Sequence, residues 1–169
     1  MNKIEKLAYK YGEFCKLPWD NVAAPQRIWF VVYPPDQERR LRKRFELFEL
    51  ATQRTGHNWL QIDLTDQFAK WIGNLEYRDR YFMKPRHLNT KLKDFQDRVS
   101  KLVNDALLDP SVDDNTVVAV TGVGSLFGLM RVSELISLDR DKINLKKKEF
   151  SILGKGSKRR IVFISQDTA

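Results

Sequence analysis

The sequence holds one cysteine, Cys15, and two histidines, His57 and His87, in 169 residues. A single thiol excludes an intramolecular disulfide framework and any multi-cysteine metal site, and it suits a reducing compartment. Neither histidine has a second histidine or a cysteine at ligand spacing, so no metal is expected. Long apolar runs are missing too: no segment reaches the roughly 20 apolar residues of a membrane span. The N-terminal stretch Met1–Phe14 carries lysines and no long apolar core, which is not a signal-peptide pattern. These absences lead to the expectation of a soluble, cytoplasmic protein with no membrane association.

The catalytic and cofactor motifs are equally sparse. Gly122-Val123-Gly124-Ser125-Leu126-Phe127-Gly128 follows an apolar run and precedes a helical pattern, which invites a nucleotide reading. A P-loop, however, needs a lysine after its last glycine, and a dinucleotide fingerprint needs its third glycine one position earlier. The simpler reading is a turn that lets strand and helix pack closely, so no cofactor is expected. Gly124-Ser125-Leu126 is not a nucleophile elbow, and both histidines lie far upstream of that serine. Cys15 falls on a helical stripe and reads as packing.

What is present is charge and a regular alternation of patterns. The net charge is +8, and it is uneven: residues 1–130 hold 20 Lys and Arg against 17 Asp and Glu, residues 131–169 hold 10 against 5. A basic surplus at one end fits a polyanion such as nucleic acid, and equally a solvated lysine-rich tail. Ile4, Leu7, Ala8, Tyr11 and Phe14 form a helical stripe. Arg27–Tyr33 reads as a near-continuous apolar strand stopped by Pro34-Pro35, a kind of strand that wants cover on both faces. One helix is predicted over Asp36–Thr55, with Leu41, Phe45, Phe48 and Thr52 on one face and Gly56 as its stop. Its other face carries Arg39, Arg40, Arg42, Lys43 and Arg44 among glutamates, a solvated face.

Trp59–Leu64 reads as a second strand, and Thr65 or Asp66 opens a short helix with Phe68, Ala69, Trp71 and Ile72. Asp63 stands at a strand end, where open α/β sheets often place catalytic carboxylates, but a role in starting the next helix is the plainer one. Glu76–His87 interleaves aromatics with cations, which can stack bases or mark a protein interface. A long helix follows, with Leu92, Phe95, Val99, Leu102, Val103 and Ala106 on one stripe. Thr116–Val120 is a strand buried on both faces, and a helix with Leu126, Leu129, Met130, Val132 and Ile136 comes after the glycine turn. The alternation predicts an α/β fold in three layers with a largely parallel sheet. Lys148–Leu153 and Arg159–Ser165, joined by Gly154–Ser157, are predicted to end the chain as a β-hairpin.

Two family resemblances meet in this pattern. Residues 18–137 resemble the BrxB-like proteins of BREX phage-defence loci. The likeness is carried by Pro18-Trp19-Asp20, Gln26–Tyr33, Leu60–Asp66, Glu76-Tyr77-Arg78 and Thr121–Gly128. It implies a small α/β domain without a catalytic centre of its own. It also implies a partner, the alkaline-phosphatase-like PglZ protein of the same systems. That family's last core strand, ending in a Phe-Pro-Gly-Glu-like turn, has no counterpart over Ile143–Ser165.

From residue 130 to about 165 the chain is similar to the start of a tyrosine-recombinase catalytic domain, of the phage integrase family. Met130–Leu138, Asp141–Asn144 and Leu153–Val162 carry this second likeness. It implies catalytic roles for Arg131, clamping a scissile phosphate, and Lys155, a general acid, in a set that is incomplete. No tyrosine follows Tyr81 and no histidine follows His87. It implies DNA contacts through Arg131, Lys155, Lys158, Arg159 and Arg160.

Because Arg131-Val132-Ser133-Glu134-Leu135 belongs to both patterns, the chain reads as a join at that point. Residues 1–137 are then a BrxB-like domain, and 138–169 a basic segment with a recombinase-like hairpin. Two functions follow as expectations. The first is a non-enzymatic scaffold in phage defence. The second is a DNA-binding recombinase fragment that cannot complete DNA integration or recombination by itself.

Overall fold

A computed structural model of the chain describes residues 1–19, 27–126, 129, 143–144, 149–150 and 159–165. It is a mixed α/β protein. Helix α1 (Lys3–Cys15) is opened by a capping box: Asn2 Oδ1 accepts from Glu5 N at 2.9 Å and Glu5 Oε2 accepts from Asn2 N at 2.8 Å. Its buried face is Ile4, Ala8, Tyr11 and Cys15. Phe14, predicted on that stripe, is 55% exposed. The i, i+4, i+7, i+11 line runs through Cys15 instead.

Strand β1 (Ile28–Tyr33) is followed by a 3₁₀ turn and α2 (Glu38–Arg42), then α3 (Glu46–Arg54). The single helix predicted over Asp36–Thr55 is therefore two. The break at Lys43–Phe45 is held by 3₁₀-type bonds from Arg44 N to Leu41 O, 2.8 Å, and from Leu47 N to Arg44 O, 3.0 Å. Arg39 with Lys43, and Arg40 with Arg44, put like charges one helical turn apart just there, which weakens a continuous helix. Leu41, Phe48 and Thr52 are buried as the stripe predicts, and Gly56 follows α3 at φ 81°.

Next come β2 (Asn58–Asp63), α4 (Gln67–Gly73), α5 (Arg78–Met83), α6 (Leu92–Leu108) and β3 (Thr116–Thr121). A 3₁₀ turn over Val123–Leu126 leaves β3. Most of the helix predicted after Ser125 lies outside the described residues. Short strands β4 (Ile143–Asn144) and β5 (Glu149–Phe150) pair antiparallel, and β6 (Arg159–Ser165) ends the described chain.

The main sheet has the order β1-β6-β3-β2, parallel throughout. The C-terminal hairpin is corrected by these pairings. Arg159–Ser165 runs parallel between β1 (Ile28 opposite Arg160) and β3 (Val117 opposite Arg159), while Glu149–Phe150 pairs with Ile143–Asn144. The predicted turn, 154–157, lies outside the described residues. The physical reason is composition. Ile161-Val162-Phe163-Ile164 does not alternate apolar with polar as a hairpin strand with one wet face would, and such a run belongs inside a parallel sheet. Where the resembled family's last core strand is missing from the sequence pattern, β6 occupies an inner position.

Alternation along the strands separates two buried clusters. Ile28, Ile62, Val118 and Val120 pack with Trp71 and Ile72 of α4 and Phe95, Val99 and Val103 of α6. Val31, Tyr33, Val117 and Ala119 pack with Ile4, Ala8 and Tyr11 of α1 and with Leu41 and Phe48. The connection from β1 to β2 crosses the sheet one way, and that from β2 to β3 steps back the other. Crossovers of one hand in opposite directions deliver their helices to opposite faces. Every residue of β3 is buried, whereas β2, at an edge, is half exposed.

Candidate functional site

In an open parallel sheet, ligands and catalytic groups gather beyond the C-terminal ends of the strands. Here that end carries Tyr33, Ser165, Thr121 and Asp63 in spatial order. Asp63 Oδ1 accepts from Thr65 N at 2.9 Å and from Thr65 Oγ1 at 2.6 Å, closing a turn ahead of α4. Burial pushes its carboxyl up. The Thr65 hydrogen bonds and the charges of Arg42 and Lys70 outweigh that, so the group is held below its ordinary value.

Gly122 presses on the same turn. Its φ is +73°, and a Cβ there would stand 2.5 Å from both Thr65 N and Thr65 Oγ1, and 2.8 Å from Asp63 Oδ1. The glycine turn thus locks the ends of β2 and β3 together, while a Cβ at Gly124 would meet nothing within 4 Å among the described residues. Thr121 is buried, receives a bond from Gln61 Nε2 at 3.3 Å and donates to Ile62 O at 3.4 Å.

At the β1 end, the Tyr33 hydroxyl donates a short hydrogen bond to Glu38, and Arg42 Nε donates to the other Glu38 oxygen at 2.7 Å. Burial, then the Glu38 carboxylate, push the Tyr33 phenol well up. Gln37, 6% exposed, donates from Nε2 to Asp36 Oδ2 at 2.5 Å, and its Oε1 finds no partner among the described residues. One lone acceptor is not a ligand set. By pattern Thr65 is a candidate helix start and Tyr33 the last residue of a strand, and neither Gln37 nor Glu38 stands out. Pro34-Pro35 after a strand was the only hint that a tight, side-chain-rich turn follows.

The opposite end of the sheet is also knitted by side chains. The His57 ring stacks on Trp19, centroids 3.5 Å apart and planes 10° from parallel. Its Nε2 lies 3.2 Å from Cys15 O, and its Nδ1 2.5 Å from Asn115 Oδ1. Asn115 Nδ2 donates to Gly56 O at 2.9 Å. His57 therefore ties α1, β2 and the loop before β3, a structural use that fits its isolation from other ligand-type residues in sequence. Among the described residues no group of three His, Cys, Asp or Glu is placed to hold a metal ion. No described helix is long and apolar enough to cross a membrane.

A third region projects from the body. Leu75 and Leu88 pack against the α4–α6 cluster. Between them, Glu76–His87 are all exposed except Tyr81, which is half-buried. Helix α5, in the middle of this arm, buries none of its residues. The arm shows Tyr77, Phe82 and Met83, and it carries Arg78, Arg80, Lys84 and Arg86 against Glu76 and Asp79.

Of the predicted site residues, Arg131, Lys155 and Lys158 lie outside the described residues. Arg159 and Arg160 begin β6, at the end of the sheet away from Asp63, with Arg159 opposite Val117 and Arg160 between Ile28 and Val118. His87 lies on the arm, and Cys15 is buried at the end of α1. Compared with known proteins, the chain matches no family model, no curated protein and no solved structure.

Proposed function

We propose that the chain is a non-catalytic interaction component of a BREX-type phage-defence system. In this reading it works in the cytoplasm by docking onto the PglZ-type, alkaline-phosphatase-like protein. The resemblance over residues 18–137 motivates the reading, which takes the helices on the two sheet faces as the outer layers of a three-layered domain. The observation that carries it is the state of the carboxylates at the C-terminal end of the sheet. Asp63 and Glu38 are both engaged in closing their own loops, by Thr65 and by Tyr33 with Arg42. A general acid or base needs a carboxylate turned toward a substrate. Titration calorimetry of the purified chain against the purified PglZ-type protein of the same system tests this. Saturable binding is expected, and no heat from a folded chain at micromolar concentrations counts against it.

A second reading rests on the cation surplus of residues 131–169. In it the chain is a DNA-binding remnant of a tyrosine recombinase, contacting phosphates through Arg131, Lys155, Lys158, Arg159 and Arg160. It requires affinity for duplex DNA that falls steeply with salt, and that weakens when Lys155 and Lys158 become alanine. A gel shift unaffected by either change ends it.

A further inference from the structure

We infer that the arm Glu76–His87 is a docking knob for another protein, and that it enters an apolar pocket rimmed by carboxylates. This rests on the interaction-module reading and names the surface that reading leaves open. Three observations carry it.

The arm is an ordered excursion rather than a connector. Helices α4 and α6 pack on the same face of the sheet, and a turn of a few residues would join them. The chain instead leaves the core at Leu75, builds a helical turn and a 3₁₀ turn, and returns at Leu88. Its exposed tip is apolar: Phe82 is 61% and Met83 76% exposed, adjacent in sequence on a helix that buries nothing. Aromatic side chains, methionine and arginine are what the centres of protein interfaces are enriched in. Around the tip cations outnumber anions, Arg78, Arg80, Lys84 and Arg86 against Glu76 and Asp79, with Arg78 Nε 3.8 Å from Asp79 Oδ1.

Charge complementarity selects the occupant. A cationic rim calls for carboxylates opposite it. A second copy of this chain is a poor match for that rim. The molecule is +8 overall, and the α6 carboxylates Asp94, Asp97 and Asp105 are already paired with Lys91, Lys93 and Lys101 at 2.7–3.2 Å. Single-stranded nucleic acid fits less well. Base stacking needs open ring faces, and one face of the Tyr77 ring is taken by Arg80, whose Cζ lies 5.7 Å from the centroid. The most exposed large apolar side chain of the arm is a thioether with no ring at all.

The test uses the full chain in three forms: wild type, Phe82→Ala with Met83→Ala, and Tyr9→Ala, an exposed aromatic on α1 away from the arm. Because residues 82 and 83 are largely exposed, equal thermal midpoints show that all three are folded. Against the PglZ-type protein, the double variant is expected to bind roughly 30-fold more weakly. Tyr9→Ala should bind as wild type does, and added salt should weaken wild-type binding.

If the double variant binds as tightly as wild type, the knob is overturned while the module reading survives. If wild type itself does not bind, the partner assignment fails. The knob is then judged by a photo-crosslinking benzoylphenylalanine placed at position 82 in the native host cell. An adduct with one acidic protein, whose purified form repeats the variant pattern, upholds the knob. Adducts with RNA or with the chain itself, or none, refute it.

Discussion

Gly122 is the residue whose replacement tells most about the sheet's C-terminal end. Any side chain there meets two penalties: a left-handed φ, and a Cβ within 3 Å of the Asp63–Thr65 turn. Gly122→Ala should lower stability by about 2–4 kcal/mol in urea unfolding. Gly124→Ala, with no described atom within 4 Å of the added Cβ, should change it by no more than about 0.5 kcal/mol. Asp63 gives a second outcome at this scale. Its carboxyl titrates lower in the folded chain than its ordinary 3.8, so the folded state binds that proton less readily. The resulting stability is complete above the unfolded value and is lost as pH falls through the folded one. Asp63→Asn should therefore flatten the acid side of the stability profile below about pH 4 and leave its shape near neutrality unchanged. Asp113, held low first by the Thr116 hydroxyl and then by backbone donors, accounts for part of the slope that remains.

Among the elements, the arm is separable from what it projects from. Among the described residues its flanks, Leu75 and Leu88, are the part of the arm that packs in the apolar core, so replacing Tyr77–His87 with a short Gly/Ser link should leave the thermal midpoint within about 4 °C. A large loss of stability would mean that the arm is part of the core after all. Most elements were legible in the sequence because their signals are local. The Ile4–Tyr11 stripe, the Arg27–Tyr33 run, the Phe95–Val103 stripe and the Thr116–Val120 run each matched a described element. The break between α2 and α3 was not read, because the apolar stripe passes through it unchanged and only like-charge spacing marks it. The links among Tyr33, Glu38 and Arg42, and between Asp63 and Gly122, were not legible either. They join residues by geometry that no periodicity records. Glu76–His87 reads in the sequence as a choice between bases and protein, because interleaved aromatics and cations serve both.

For the whole molecule the decisive fact is long-range. Composition alone says that Ile161–Ile164 is a strand, but not that it lies between β1 and β3. The glycine-containing turn before it made a local hairpin the natural reading, because partner choice in a parallel sheet is set by tertiary packing. Since β6 is the one strand that pairs with β1 among the described residues, a chain ended at residue 158 should lose its cooperative unfolding transition, whereas one ended at 165 should keep it. A sigmoidal urea curve from the shorter chain would show that β1 closes onto β3 without help.

That inner strand also bears on how the molecule is made. Ile28 and its partner Arg160 stand 132 positions apart, so while the chain grows on the ribosome the slot between β1 and β3 has nothing to fill it. Two open strand edges wait side by side until Arg159–Ser165 emerges, and pairing over so long a separation makes closure of the sheet a late and slow step. A nascent chain in that condition is a natural client for chaperones, and a stalled or shortened one is a seed for aggregation.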